Sequence, residues 1–289
     1  MTTTATTTDN PTSAALEQLD AAVASILEGD NFQQWLDLLA RLHSYSWSNT
    51  LLILTQRPSA SLVAGYRRFQ SLGRQVRKGE KGIRILAPVA GWVKVVETDE
   101  NGNEVETTRP TIARRFRVVS VFDIAQTDPI EGKPDLTAAQ PPMPAMLDGE
   151  SAIAPALDAT LTAFLRDAGV TVETGDTGEA RGWYNPTTQT IRLSDAISGD
   201  QRLKTYIHEA AHWHADHRAG ISRADAETVA EASAYVVLRR FGIDTTGHSA
   251  PYIAQWAADT NVLRRNLAAI QKTATALIDE LAGARPATA

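Results

Sequence analysis

Apolar residues recur at helical spacing through the first part of the chain. Leu16, Leu19, Val23 and Ile26 share one face, and Phe32, Trp35, Leu36, Leu39 and Leu42 share a second. Residues 48–55 predict a third, short helix ended at Arg57-Pro58, because a residue preceding proline is pushed out of the helical region. A fourth helix is expected from Leu62 to Leu72, stopped by Gly73. The period then becomes that of strands over Ile83–Pro88, Trp92–Glu97 and Phe116–Phe122, with Asn101-Gly102 as a hairpin turn. Residues 129–155 hold 6 of the 13 prolines and few large apolar side chains, the composition of a linker. Beyond them the pattern predicts a helix at about 157–168, a hairpin from Gly182 to Leu193, and helices at about 200–218, 223–241 and 250–280. The expectation is an α+β chain of two domains. It comprises a disordered Thr-rich tail (1–12), an N-terminal helix-plus-twisted-sheet domain (13–128), a Pro-rich linker (129–155), a mostly helical domain with a small edge hairpin (156–282) and a tail (283–289).

Composition narrows the chemistry. With 43% hydrophobic and 21% charged residues the chain can bury real cores, and with no cysteine it has neither disulfides nor thiolate ligands. A transition metal must then be held by His, Asp or Glu, which suits a catalytic site better than a structural one. No run of about 18 apolar residues and no signal-like start are present, so a cytoplasmic protein without a membrane partner is expected. Charge is unevenly spread: Asn31–Asp128 carries 14 basic and 9 acidic residues, a net of +5 within a chain of net −6.

The acidic half contains His208-Glu209-Ala-Ala-His212, an H-E-x-x-H pattern within a stretch free of Gly and Pro. Four residues on a helix bring both imidazoles to one face, within reach of one ion, while Glu209 lies about 100° around the axis, placed as a base rather than a ligand. The ion is expected to be Zn2+, with Mn2+ or Co2+ as alternatives. It would activate water and polarise a scissile carbonyl, with Glu209 taking and returning the proton. A catalytic zinc needs a third protein ligand, and the next helix, capped by Ser222 with Asp225, presents Glu227 and Glu231 four residues apart. Glu227 is favoured as ligand and Glu231 as the group orienting a ligand histidine; the reverse assignment stays open on spacing alone. Tyr184 and Tyr252 are candidate oxyanion donors, though packing aromatics are the plainer reading, and the Gly182–Leu193 hairpin is a candidate edge for an extended protein or peptide substrate. His214 and His217 fall off the 208/212 face and are expected at the surface.

In the basic half, Arg57, Arg67, Arg68, Arg74, Arg77, Lys78, Lys81, Arg84 and Lys94 occur with one acid, Glu80, and with Tyr66, Phe69 and Trp92 interleaved. Cations for the phosphate backbone and aromatic faces for unpaired bases make this a candidate surface for single-stranded DNA. A solvated basic face around core aromatics accounts for the same composition equally well.

Specific runs resemble a known family. Tyr45-Ser-Trp-Ser-Asn49, Val63-Ala-Gly-Tyr-Arg-Arg-Phe-Gln-Ser-Leu-Gly73, Val76-Arg-Lys-Gly-Glu-Lys-Gly82 and Val121–Asp128 are similar to the N-terminal domain of ArdC-type antirestriction proteins. Gly182-Trp-Tyr184, Lys204–His212, Ala230–Val237 and Pro251–Trp256 resemble the same family's zincin-like domain. The resemblance spans most of residues 31–260. It implies a mobile-element protein that binds single-stranded DNA and carries a zinc-peptidase domain of the gluzincin kind, with Glu227 at the downstream ligand position and Glu231 at the acidic position after it. A regulatory endopeptidase of the ImmA/IrrE kind, and a DNA-protection factor whose metal site cuts nothing, are the other functions compatible with these residues.

Overall fold

The first three helices are α1 (Pro11–Ala24), α2 (Asn31–Arg41) and α3 (Trp47–Gln56) in the computed structural model, which describes residues 11–26, 28, 30–89, 91–98, 104–111, 116–139, 151–215, 221–245 and 260–284. The face of α1 is shifted from the predicted one: Ala15, Leu19, Ala22 and Val23 are buried, whereas Leu16 is 46% exposed. Phe32, Trp35, Leu36 and Leu39 of α2 are buried as expected. Ser46 caps α3, its Oγ accepting from the Asn49 N–H.

The helix expected over Leu62–Leu72 begins only at Tyr66. Val63–Gly65 is strand β1, paired antiparallel with β6 (Phe116–Asp123), and α4 is confined to Tyr66–Ser71. Pairing with a neighbouring strand overrides a local pattern that also fits a helix. Gly73 then terminates the turn at φ +80°, where a Cβ would run into the Pro134 carbonyl. Strand β2 (Arg74–Val76) pairs with β7 (Thr127–Pro129), and β3 (Ile83–Pro88) pairs with β6. Strands β4 (Gly91–Thr98) and β5 (Glu104–Thr111) form a separate two-stranded ribbon; the predicted Asn101-Gly102 turn lies outside the described residues. Part of the segment expected as a linker lies against the residues just before β2: Ile130 and Leu136 donate backbone hydrogen bonds to the carbonyls of Gly73 and Leu72.

The order β1-β6-β3 leaves β3 with an outer edge. Side-chain amides of α3 bond to that edge. Asn49 donates to the Leu86 carbonyl and accepts from its N–H, both at 2.9 Å, and Gln56 does the same to Arg84 at 2.8 and 2.9 Å. Two side chains thus satisfy the backbone groups that a missing strand would take.

In the second half, α5 (Ala154–Asp167) leads into β8 (Thr171–Gly175), β9 (Gly182–Asn185) and β10 (Thr190–Ser194), in the order β8-β10-β9. β10 runs parallel to β8 and antiparallel to β9, and both of these are edge strands. Helices α6 (Gly199–His214), α7 (Arg223–Arg240) and α8 (Thr260–Leu281) follow among the described residues. Gly182 brings β9 close to α6: a Cβ there would stand 2.8 Å from Thr205 Cγ2 and 3.1 Å from the Arg192 carbonyl oxygen.

One apolar cluster runs through both halves, from the residues of α1 and α2 to those of α7 and α8. A polar clasp accompanies it: Asp37 Oδ1 accepts from Tyr235 Oη and from Arg239 Nε, each at 2.9 Å. Changing Asp37 to Ala leaves a mostly buried guanidinium without this carboxylate. The expected cost is about 2 kcal/mol, read as a lowered urea midpoint.

Candidate metal centre and basic face

The face of α6 carrying Leu203, Tyr206, Ile207, Ala210 and Ala211 is buried, which fixes the helix's rotation and turns the 208/212 face towards α7. His208 Nε2 and His212 Nε2 lie 3.1 Å apart. Glu227 Oε2 stands 3.5 Å from the first and 3.7 Å from the second. Two ligands about 2.1 Å from a tetrahedral ion are separated by roughly 3.4 Å, so the three edges of this triangle have the size that one ion requires. Glu231 occupies a different place. Its Oε2 is 3.1 Å from His208 Nδ1, on the far side of the ring from the triangle.

The electrostatics follow from this crowding. Burial lowers the His208 pKa, but hydrogen bonds to Glu227 and Glu231 outweigh it and raise the pKa to about 9. The same imidazoles depress Glu227. Burial acts against ionisation of Glu231, yet His208 and Lys204 bring its pKa down to about 2. Glu209 is 8% exposed, and its carboxyl is raised by burial despite the two histidines and a backbone hydrogen bond from Tyr184. His208, Glu209, His212 and Glu227 line a cleft of about 480 Å³ with Gly182, Trp183, Tyr184, Pro186 and Arg223. The edge strand β9 therefore forms one wall of the site. Tyr252, His217 and His248 lie outside the described residues. His214, expected at the surface, is half-buried, and burial followed by the charge of Lys272 lowers its pKa.

The basic residues divide into two groups. Arg74 is committed to structure: it donates to Thr127 Oγ1 at 2.7 Å and to the Thr127 carbonyl at 3.0 Å, and pairs with Asp135. Arg77 is held by Glu80 at 2.8 Å and Asp128 at 3.2 Å, and Arg57 lies 3.7 Å from the buried Asp123. These three brace the strand and turn connections. Arg67, Arg68, Lys78, Lys81 and Arg84 are exposed. Arg57, Lys81 and Arg84 border a hollow of about 840 Å³ with Gly79, Gly82 and Ser120. Tyr66 is 43% exposed, while Phe69 is fully buried as a core residue. Trp92 falls in β4, and its side chain is outside the described residues.

Residues 12–122 match the family described as the N-terminal domain of anti-restriction factor ArdC. The chain carries an ArdC-type N-terminal domain. Its fold agrees with that of the antirestriction ArdC protein from the R388 plasmid. The metal-free form matches at TM-score 0.53 and 22% identity over 94% of this chain and 98% of that one, and the Mn(II)-bound form at 0.54 and 21% over 93% and 98%. An uncharacterized Bacillus anthracis protein is 24% identical over a 276-residue alignment that covers 85% of this chain and 46% of that protein. The Escherichia coli DNA primase TraC is 26% identical over a 239-residue alignment that covers 73% of this chain and 20% of the primase. The chain thus spans less than half the length of the curated relatives it matches.

Three features of this chain escape a reading by motif. Asn49 and Gln56 act through amide-to-backbone pairing, which leaves no hydrophobic trace. Arg223, in the first turn of α7, lines the cleft, its Nε 3.8 Å from Glu227 Oε1. Lys204 pairs with Glu231 at 2.9 Å; its place four residues before His208 was the available signal.

Proposed function

We propose that this chain is an antirestriction protein that binds single-stranded DNA through its exposed N-terminal cations and holds one divalent ion on His208, His212 and Glu227 in a peptidase-like cleft. The convergence of three N and O donors at ion-sized separations, open on one side to the cleft, is the observation that carries the reading. The donor set suits Zn2+, and also the Mn(II) seen in the R388 relative. Once bound, the ion supplies Lewis-acid activation of water and of a carbonyl oxygen. Glu209, buried beside the cleft with a raised pKa, is suited to accept and return a proton. Glu231 orients His208 by accepting from Nδ1–H, so that Nε2 keeps its lone pair for the ion. The edge of β9 offers backbone groups to an extended peptide, and Tyr184 stands at the same wall. In the N-terminal half, Arg67, Arg68, Lys78, Lys81 and Arg84 supply phosphate contacts, and Tyr66 an aromatic face.

Metal analysis of purified protein, combined with binding of single- and double-stranded oligonucleotides at two salt concentrations, tests the reading. The expected result is one ion per chain, lost in H212A, and tighter, salt-sensitive binding of the single strand. Equal affinity for both strand forms would exclude base stacking from recognition.

A pH dependence follows from His208. Its folded-state pKa of about 9 lies above the ordinary 6.5. The imidazolium therefore stabilises the metal-free chain fully below pH 6.5, and that stability is lost as pH rises through 9. The melting midpoint of chelated protein is expected to fall over this interval. Ion uptake at pH 7 is expected to release a proton, detected as a buffer-dependent heat of binding.

A further inference from the structure

Lys204, His208 and His212 are spaced four apart on α6, and Glu227 and Glu231 four apart on α7, so each set forms a row along its helix. The rows interleave. Lys204 Nζ lies 2.9 Å from Glu231 Oε1, Glu231 Oε2 lies 3.1 Å from His208 Nδ1, and His208 Nε2 lies 3.5 Å from Glu227 Oε2. The lysine side chain is 12% exposed and that of Glu231 7%. An ammonium this shielded from water is costly unless paired, and here its partner is the carboxylate behind the first histidine of the motif.

We propose that Lys204 is a positioning residue of the ion site, acting through Glu231 on His208; this rests on the reading of His208, His212 and Glu227 as the ligands. A carboxylate has two oxygens and can rotate about its terminal bond. Lys204 holds Oε1, which fixes the carboxylate plane and leaves Oε2 directed at the Nδ1–H of His208. That hydrogen bond sets the ring's orientation and tautomer, and directs the Nε2 lone pair into the triangle shared with His212 and Glu227. Lys204 also supplies a positive charge beside a site that gathers Glu209, Glu227 and Glu231, keeping Glu231 directed towards Lys204 and His208. The ion is touched by neither residue, yet its affinity depends on both.

The test is the Zn2+ affinity of the full chain by chelator competition, for wild type, K204M, E231Q, the double variant and K204R, with H212A as the control. K204M and E231Q are each expected to weaken binding by about tenfold to a hundredfold. The double variant is expected to be no weaker than the worse single one, because both act along one path. K204R, which keeps a cation at the position, is expected to recover part of the loss. If K204M does not fold, the cycle is read with K204Q. Additive losses, or K204M binding Zn2+ as tightly as wild type while H212A does not, would overturn the role of Lys204 and leave the ion site standing. Wild type binding no better than H212A would remove the ion site, and the proposal with it.

Discussion

Glu209→Gln is expected to abolish hydrolysis of any peptide the protein cleaves while leaving ion binding intact. Glu209 lies outside the donor triangle, lines the cleft and is 8% exposed. Its hydrogen bond from the Tyr184 backbone is one that a glutamine oxygen still accepts. The substitution therefore removes the proton acceptor without removing a ligand, and general-base catalysis contributes roughly 10²–10⁴-fold. Run alongside an assay of transferred-DNA survival in a restricting host, the same variant separates the functions. Protection that persists in E209Q needs no peptidase chemistry and assigns the ion a role other than cutting peptides. Loss of cleavage of a repressor in E209Q would favour the regulatory-endopeptidase function.

The second large effect is expected from neutralising Lys78, Lys81 and Arg84 together with Gln. Lys78 stands on the turn before Gly79 (φ +89°), Lys81 follows it, and Arg84 is exposed on β3. None braces the fold as Arg74 and Arg77 do. Affinity for single-stranded oligonucleotide is expected to fall at least about tenfold at low salt. The slope of log affinity against log salt is expected to shrink by about 0.7 for each phosphate that the variant no longer neutralises. Arg74→Gln serves as the contrast. It breaks bonds to Thr127 and Asp135 that tie β2 to β7 and to the following segment, so its expected effect is a lowered unfolding midpoint. A triple variant with wild-type affinity and an unchanged salt slope would move the DNA surface elsewhere on the molecule.

The parts of the structure legible in the sequence are those in which one residue's position depends on its own helix. His208 and His212 meet because four residues make one turn, and the Ser222–Asp225 cap appears as expected, the Asp225 N–H donating to Ser222 Oγ at 3.1 Å. Spacing alone could not choose between Glu227 and Glu231, since both lie on the same stripe of α7. The axial offset between α6 and α7 separates them, placing Glu227 beside both Nε2 atoms and Glu231 behind one ring. The basic segment was legible as composition but not as surface. Arg74 and the exposed Arg77 are tied into ion pairs because β2 pairs with β7, more than fifty residues away, a pairing that the local charge pattern does not register. The Val63–Gly65 strand was hidden for the same reason, its partner being β6. The clasp of Asp37 by Tyr235 and Arg239 spans nearly two hundred residues.

The most direct test of the central claim is anomalous diffraction at the zinc edge from crystals grown with Zn2+. One peak is expected, about 2.0–2.2 Å from His208 Nε2, His212 Nε2 and a Glu227 carboxylate oxygen, with Glu231 still on His208 Nδ1. A peak bound by Glu231 in place of Glu227, or no peak between the two histidines in protein shown to be folded, would contradict it.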